Sequence, residues 1–136
     1  MKRLLYVDDD PVAHDLMKGI LNEWDVISAY SGLEALEVLE KEYGLIVITD
    51  IHMPKMSGIA LLKEIKKKFP IIQVIVLSAT EDTNNLLSAY EAGANDFILK
   101  PFNREEILLA INNTLSKIER WEKVMGDICK KKTKNW

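Results

Sequence analysis

One cysteine, Cys129, stands in a chain of 136 residues, which excludes an internal disulfide and any zinc site built from several thiolates. No run approaches the roughly 20 apolar residues that a membrane-crossing helix needs. The start, Met1-Lys2-Arg3, leads into a short apolar stretch broken by acids, without the longer apolar segment and cleavage site of a signal peptide. Neither sign of charge dominates: the net charge is −3 and the charges are mixed along the chain. Nothing resembles a nucleic-acid footprint except the short tail Lys130-Lys131-Lys132-Thr133-Lys134, which is read as a solvated end or the start of a linker. These absences set the expectation of a cytoplasmic chain without membrane association or direct nucleic-acid contact. What is there suits one globular domain with a substantial core, at 48% hydrophobic and 29% charged residues, with no room for a second catalytic domain.

Buried strand and amphipathic helix alternate along the chain. Leu4 to Val7 is a short apolar strand, followed by Asp10-Pro11 as a helix cap with proline at the first helical position. Ala13, Leu16, Met17, Ile20 and Leu21 then recur at helical spacing and are expected inward. Val26 to Tyr30 predicts a second strand, and Ser31 with Glu34 a capping box ahead of Leu33, Leu36, Val38 and Leu39. A third strand begins at Leu45, after Gly44. Gly58 to Phe69 predicts a helix with Ile59, Leu61, Leu62 and Ile65 inward and Lys63, Lys66, Lys67 and Lys68 on a solvated face, closed by Pro70. The apolar run from Ile71 to Leu77 reads as a central parallel strand. A weaker helix from about Asp82 to Ala92 closes at Gly93, Phe97 to Leu99 is a last strand, and a helix capped by Asn103 with Glu106 follows. This alternation predicts an α/β fold, an open doubly wound parallel sheet with helices on both faces.

Every reactive residue sits at a strand's carboxyl end, where such sheets gather ligands. Asp8, Asp9 and Asp10 follow the first strand, Asp50 the third, Ser78 the fourth, and Lys100-Pro101 the last. Converging carboxylates of Asp8, Asp9 and Asp50 would repel by roughly 4 kcal/mol per pair at 4 Å and an effective dielectric near 20, so a cation must relieve them. An all-oxygen donor set favours a hard ion such as Mg²⁺. Asp50 can then attack a phosphoryl group, with Lys100 and the Ser78 hydroxyl holding its oxygens. Asp10 is read as a helix cap rather than a ligand, and Trp24 as packing at a helix end.

With Val7-Asp8-Asp9-Asp10-Pro11, Asp50 with Met53-Pro54 and Gly58, Ser78-Ala79, Ala92-Gly93-Ala94 and Lys100-Pro101-Phe102 in order, the chain resembles the receiver domains of two-component response regulators from about Lys2 to about Ser116. The resemblance implies a flavodoxin-like, five-stranded sheet of order 2-1-3-4-5 with five flanking helices. It implies Asp50 as phosphoacceptor, Asp9 as a direct Mg²⁺ ligand, Asp8 as one acting mainly through water, and the main-chain carbonyl of His52 as a further ligand, with Mn²⁺ able to substitute. It also implies that Ser78 and Lys100 contact the phosphoryl group, that the Lys100-Pro101 bond is cis, and that Phe97 holds the aromatic switch position, where plain core packing is the alternative. The His52 side chain and Thr80 would stand beside the site and tune phosphoryl lifetime. The implied partner is a sensor histidine kinase or phosphotransfer protein; the protein would be no enzyme beyond its own phosphorylation and dephosphorylation.

The face of the fourth helix, fifth strand and fifth helix is expected to switch and to engage a partner or a second copy. Residues 1–118 are taken as the receiver and 119–136 as a helical extension with a basic tail. There Ile111, Thr114, Ile118, Trp121, Met125 and Ile128 fit heptad spacing, so the extension is either a dimerising linker to an output domain or a helix packed on its own domain and ending near Gly126. The alternatives weighed are a receiver-fold scaffold that is not phosphorylated and a haloacid-dehalogenase-like phosphatase using Asp8, Asp9 and Asp10.

Overall fold

A computed structural model describes residues 3–41, 46–79 and 83–134, without side chains from residue 128 onward. Leu45, Thr80 and Asp82, and the side chains of Ile128, Cys129 and the basic tail, lie outside the described residues. The order is β1 (Arg3–Val7), α1 (Pro11–Ile20), β2 (Asp25–Ala29), α2 (Gly32–Lys41), β3 (Ile46–Asp50), α3 (Gly58–Lys68), β4 (Gln73–Ser78), α4 (Thr83–Glu91), β5 (Asp96–Leu99) and α5 (Arg104–Lys134). The strands form one parallel sheet of order β2-β1-β3-β4-β5, as expected.

Side-chain alternation along the strands divides the core in two. Leu5, Val7, Val47, Val74 and Val76 face Ala35 and Leu39 of α2, Leu61, Leu62 and Ile65 of α3, and Ala89 of α4. Leu4, Tyr6, Ile46, Ile48, Ile75 and Leu77 face Met17 of α1 and Ile107, Ala110, Ile111 and Ile118 of α5, with Leu21 beyond α1. Burying a side chain the size of Leu61, Leu62 or Ile65, each 0% exposed, contributes up to about 1.5–3 kcal/mol.

The helix starts follow the capping chemistry in the sequence. The Asp10 carboxylate accepts from the Val12 N–H at 3.0 Å, which confirms its cap role. Ser31 Oγ accepts from the Glu34 N–H at 3.1 Å, while the Glu34 carboxylate accepts from the Tyr30 N–H at 3.3 Å. Ser57 caps α3 at the Ala60 N–H, and Asn103 caps α5 at the Glu106 N–H. Gly93 closes α4 at φ +93°, a conformation that favours glycine.

Four expectations need correction. Leu16 is exposed, because the buried stripe of α1 runs through His14 and Met17 to Leu21. Ile71 is exposed, since β4 begins at Gln73. Lys66 does not simply face solvent: its Nζ donates to the Ile72 carbonyl at 2.7 Å, and burial lowers its pKa below the usual lysine range, with Lys117 adding to the effect. Finally, α5 does not stop near Gly126 but runs on to Lys134. Its buried face ends at Ile118, and Trp121, Val124 and Met125 are exposed.

Candidate active site

The switch in strand order between β1 and its two neighbours opens a crevice at the carboxyl ends of β1 and β3. There Asp8 follows β1, its N–H donating to the Ala29 carbonyl at 3.1 Å, and Asp50 ends β3. The Asp8, Asp9 and Asp50 carboxylates converge, each offering an oxygen within 4.8 Å of the others. Asp8 and Asp50 are buried and Asp9 is exposed. Lys100 directly follows β5, its bond to Pro101 is cis as expected, and its Nζ lies 3.1 Å from Asp50 Oδ1 and 3.9 Å from Asp8 Oδ2. Ser78, fully buried, ends β4 in register with Leu99, one position past the residue paired with Asp50.

Burial pushes the Asp50 carboxyl above its ordinary range, against the pull of Lys100, and the charge of Asp8 raises it further. A second cation shared among the carboxylates would complete the compensation that one lysine begins. The donor set is all oxygen, without cysteine or a histidine pair, so these residues fit a hard divalent ion.

The backbone behind Asp50 is held by glycine and a tight turn. The Gly58 N–H donates to the Ile51 carbonyl at 2.8 Å, and a Cβ at position 58 would lie 2.9 Å from the Asp50 carbonyl carbon and from Ile51 Cα. Between them Lys55 adopts φ +67°, and the Met56 N–H donates to the Pro54 carbonyl at 2.8 Å, a strained γ-turn for a residue with a side chain. His52 is exposed beside the site, and its charge draws the Asp50 carboxyl downward. Phe97 is not part of the carboxylate site; it is half-buried against the core cluster on the α3 face.

Residues 4–112 match the family model of the response regulator receiver domain. The chain belongs to this receiver family. It is 39% identical over 117 residues to chemotaxis protein CheY of Bacillus subtilis, covering 84% of this chain and 98% of CheY. It is 38% identical over 117 residues to the CpxR homolog of Haemophilus influenzae, a transcriptional regulatory protein, covering 85% of this chain and 51% of that protein. Against the probable transcriptional regulator ycf27 of Porphyridium aerugineum the figures are 31% over 121 residues, 88% and 50%, so the chain spans about half the length of these two relatives. Among solved structures, a receiver domain protein from Clostridium thermocellum superposes with TM-score 0.82 at 32% identity, over 91% of this chain and 99% of that one. NtrX from Brucella abortus gives 0.85 at 31%, over 92% and 30%. Membership of the receiver family removes the haloacid-dehalogenase-like reading. Among the described residues no helix is long and apolar enough to cross a membrane.

The receiver carries neighbours of its acidic site that sequence reasoning missed. Tyr6, read only as strand core, donates its hydroxyl to Asp8 Oδ2 at 2.7 Å. Its own ionisation is driven far upward, first by burial and then by this bond to a carboxylate. His14, fully buried, places Nε2 2.7 Å from the Asp8 carbonyl and Nδ1 3.0 Å from Ser28 Oγ. Its only signal in the sequence was a lone histidine on an apolar helix face.

Proposed function

We propose that this receiver accepts a phosphoryl group on Asp50 from the phosphohistidine of a sensor histidine kinase or phosphotransfer protein. The observation that carries the proposal is the convergence of Asp8, Asp9 and Asp50 with Lys100 Nζ 3.1 Å from the Asp50 carboxylate. An Asp50 oxygen attacks phosphorus; the new O–P bond forms as the P–N bond to histidine breaks, and the electron pair leaves with the imidazole, which takes a proton from solvent. Lys100 first orients the attacking carboxylate and then neutralises the phosphoryl oxygens. The Ser78 hydroxyl donates to a phosphoryl oxygen.

The carboxylates of Asp8, Asp9 and Asp50 and the main-chain carbonyl of His52 would hold Mg²⁺, with Mn²⁺ as a substitute. When bound, the ion supplies positive charge to the phosphoryl oxygens and relieves the carboxylate repulsion. Water attack on phosphorus later breaks the O–P bond and restores Asp50, with inorganic phosphate released beside the exposed His52. In this sense alone the protein is a catalyst. The added charge of about −1.5 to −2 biases Ser78, Phe97 and the α4-β5-α5 surface toward a second arrangement that a partner or second copy reads. The receiver proper is residues 1–118, and 119–136, of which the stretch to Lys134 continues α5, serve as a linker toward an output domain or a homodimer contact. Its proposed compartment is the cytoplasm.

Intact-mass spectrometry after incubation with Mg²⁺ and acetyl phosphate tests the central claim against Asp50→Ala. One Mg²⁺-dependent phosphate adduct on wild type and none on the variant is expected. An adduct that survives the substitution would refute Asp50 as acceptor, and no adduct on wild type would favour a scaffold that keeps the site unused.

A further inference from the structure

Asp8 is gripped at three points by groups that do not touch the phosphoacceptor. The Tyr6 hydroxyl donates to Oδ2 at 2.7 Å, the Asp10 N–H donates to Oδ1 at 3.0 Å, and His14 Nε2 meets the main-chain carbonyl at 2.7 Å. A carbonyl can only accept, so His14 carries its proton on Nε2. In the neutral imidazole Nδ1 is then the acceptor, and Ser28 Oγ at 3.0 Å supplies the hydroxyl that donates to it. The His14 ring is further held between aromatic rings, edge-on to Tyr6 with centroids 4.9 Å apart and tilted against Tyr30 at 4.2 Å. Tyr6 and His14 are both 1% exposed and Asp8 is 2% exposed.

A core position in β1 or α1 would be filled more cheaply by an aliphatic side chain, since each buried polar group must recover its lost hydration through a hydrogen bond. Here that bond goes to the same aspartate in both cases, to its carboxylate from Tyr6 and to its main-chain carbonyl from His14. One partner fixes the carboxylate and the other fixes the turn that carries it. Ser28 extends the arrangement to β2, so the orientation of Asp8 is tied to three elements, β1, β2 and α1.

We propose that Tyr6 and His14 are positioning residues for the metal site, aligning Asp8 so that its carboxylate meets the ion's coordination shell without reorganisation. The inference rests on the reading of Asp8, Asp9 and Asp50 as that site. Outer-shell partners of metal ligands typically change metal affinity by 10–100-fold when removed. Tyr6→Phe deletes only the hydroxyl and keeps the ring. His14→Leu deletes the donor, whereas His14→Gln keeps an amide N–H able to reach the Asp8 carbonyl.

Mn²⁺ affinity of the unphosphorylated protein, read by the loss of the free-ion paramagnetic resonance signal, separates the cases, with thermal unfolding of the metal-free variants measured alongside. Tyr6→Phe and His14→Leu are expected to weaken Mn²⁺ binding about tenfold or more, and His14→Gln to recover part of the loss. Should the affinities equal wild type while only the unfolding temperatures fall, the two residues serve packing alone and the proposal is overturned. Because His14→Leu can fail to fold, Tyr6→Phe decides the outcome by itself. If wild type binds no Mn²⁺, or binds equally after Asp9→Ala, the metal site itself falls and the positioning role with it.

Discussion

Gly58→Ala should loosen the protein directly behind its phosphoacceptor. The new Cβ would lie 2.9 Å from both the Asp50 carbonyl carbon and Ile51 Cα, and nearer still to the Asp50 carbonyl oxygen. Carbon atoms in contact normally sit about 3.5–4.0 Å apart, so the start of α3 or the end of β3 must retreat by roughly half an ångström or more. Overpacking of this kind costs about 1–3 kcal/mol. Retreat also stretches the 2.8 Å bond from the Gly58 N–H to the Ile51 carbonyl, worth about 1 kcal/mol. Alanine returns up to about 1 kcal/mol through its helix preference and a less flexible unfolded chain. The net loss is about 2 kcal/mol, or a fall of roughly 6–10 °C in Tm for a domain of this size. Gly19→Ala is the control: nothing lies within 4 Å of its added Cβ on the exposed side of α1, so the same change should stabilise by about 0.5–1 kcal/mol. Urea and thermal unfolding of both variants measure the contrast. A Gly58→Ala protein as stable as wild type would refute the close approach, and with it the idea that α3 and the Asp50 backbone are locked together.

Asp50→Asn should stabilise the metal-free protein at neutral pH. The folded-state pKa of Asp50 lies above its unfolded value, mainly through burial, so its stabilising contribution is present below the unfolded pKa of about 3.9 and is lost as pH rises through the folded one. The advantage of the asparagine variant in urea unfolding is therefore expected to grow from acid toward pH 7, and an asparagine variant weaker than wild type at pH 7 would contradict it. Lys55→Gly should gain up to about 1 kcal/mol by relieving φ +67°, less the greater freedom of glycine in the unfolded chain; a loss beyond 1 kcal/mol in the same assay would show that the turn is not strained.

The sheet, its helices and the carboxylate crevice are legible because every apolar run of strand length except Val26 to Tyr30 ends in a reactive side chain. A parallel sheet with a strand-order switch leaves few places for Asp8, Asp9, Asp50 and Lys100 except together. Helical spacing, by contrast, gives the period of a buried stripe but not its azimuth. The stripe of α1 therefore sits on His14, Met17 and Leu21 rather than on Leu16, a rotation of about one residue. The same rotation hid His14, and Tyr6 was hidden because an aromatic residue inside an apolar strand reads as core whether or not its hydroxyl has a partner. Lys66 misled for a related reason: its long stem crosses apolar surface to reach a carbonyl, and a one-letter pattern records only its charge.

The last helix stays beside Pro70, Ile71 and Gln73 as far as Met125, and continues from there to Lys134. At 1.5 Å per residue the part beyond Met125 is a rod of about 14 Å, anchored at one end. A rod amplifies rotation: a tilt of about 10° where it leaves the body would sweep its far end through roughly 2.5 Å. A change of packing too small to notice at the root thus becomes a displacement at the tip large enough to separate or align whatever is fastened there.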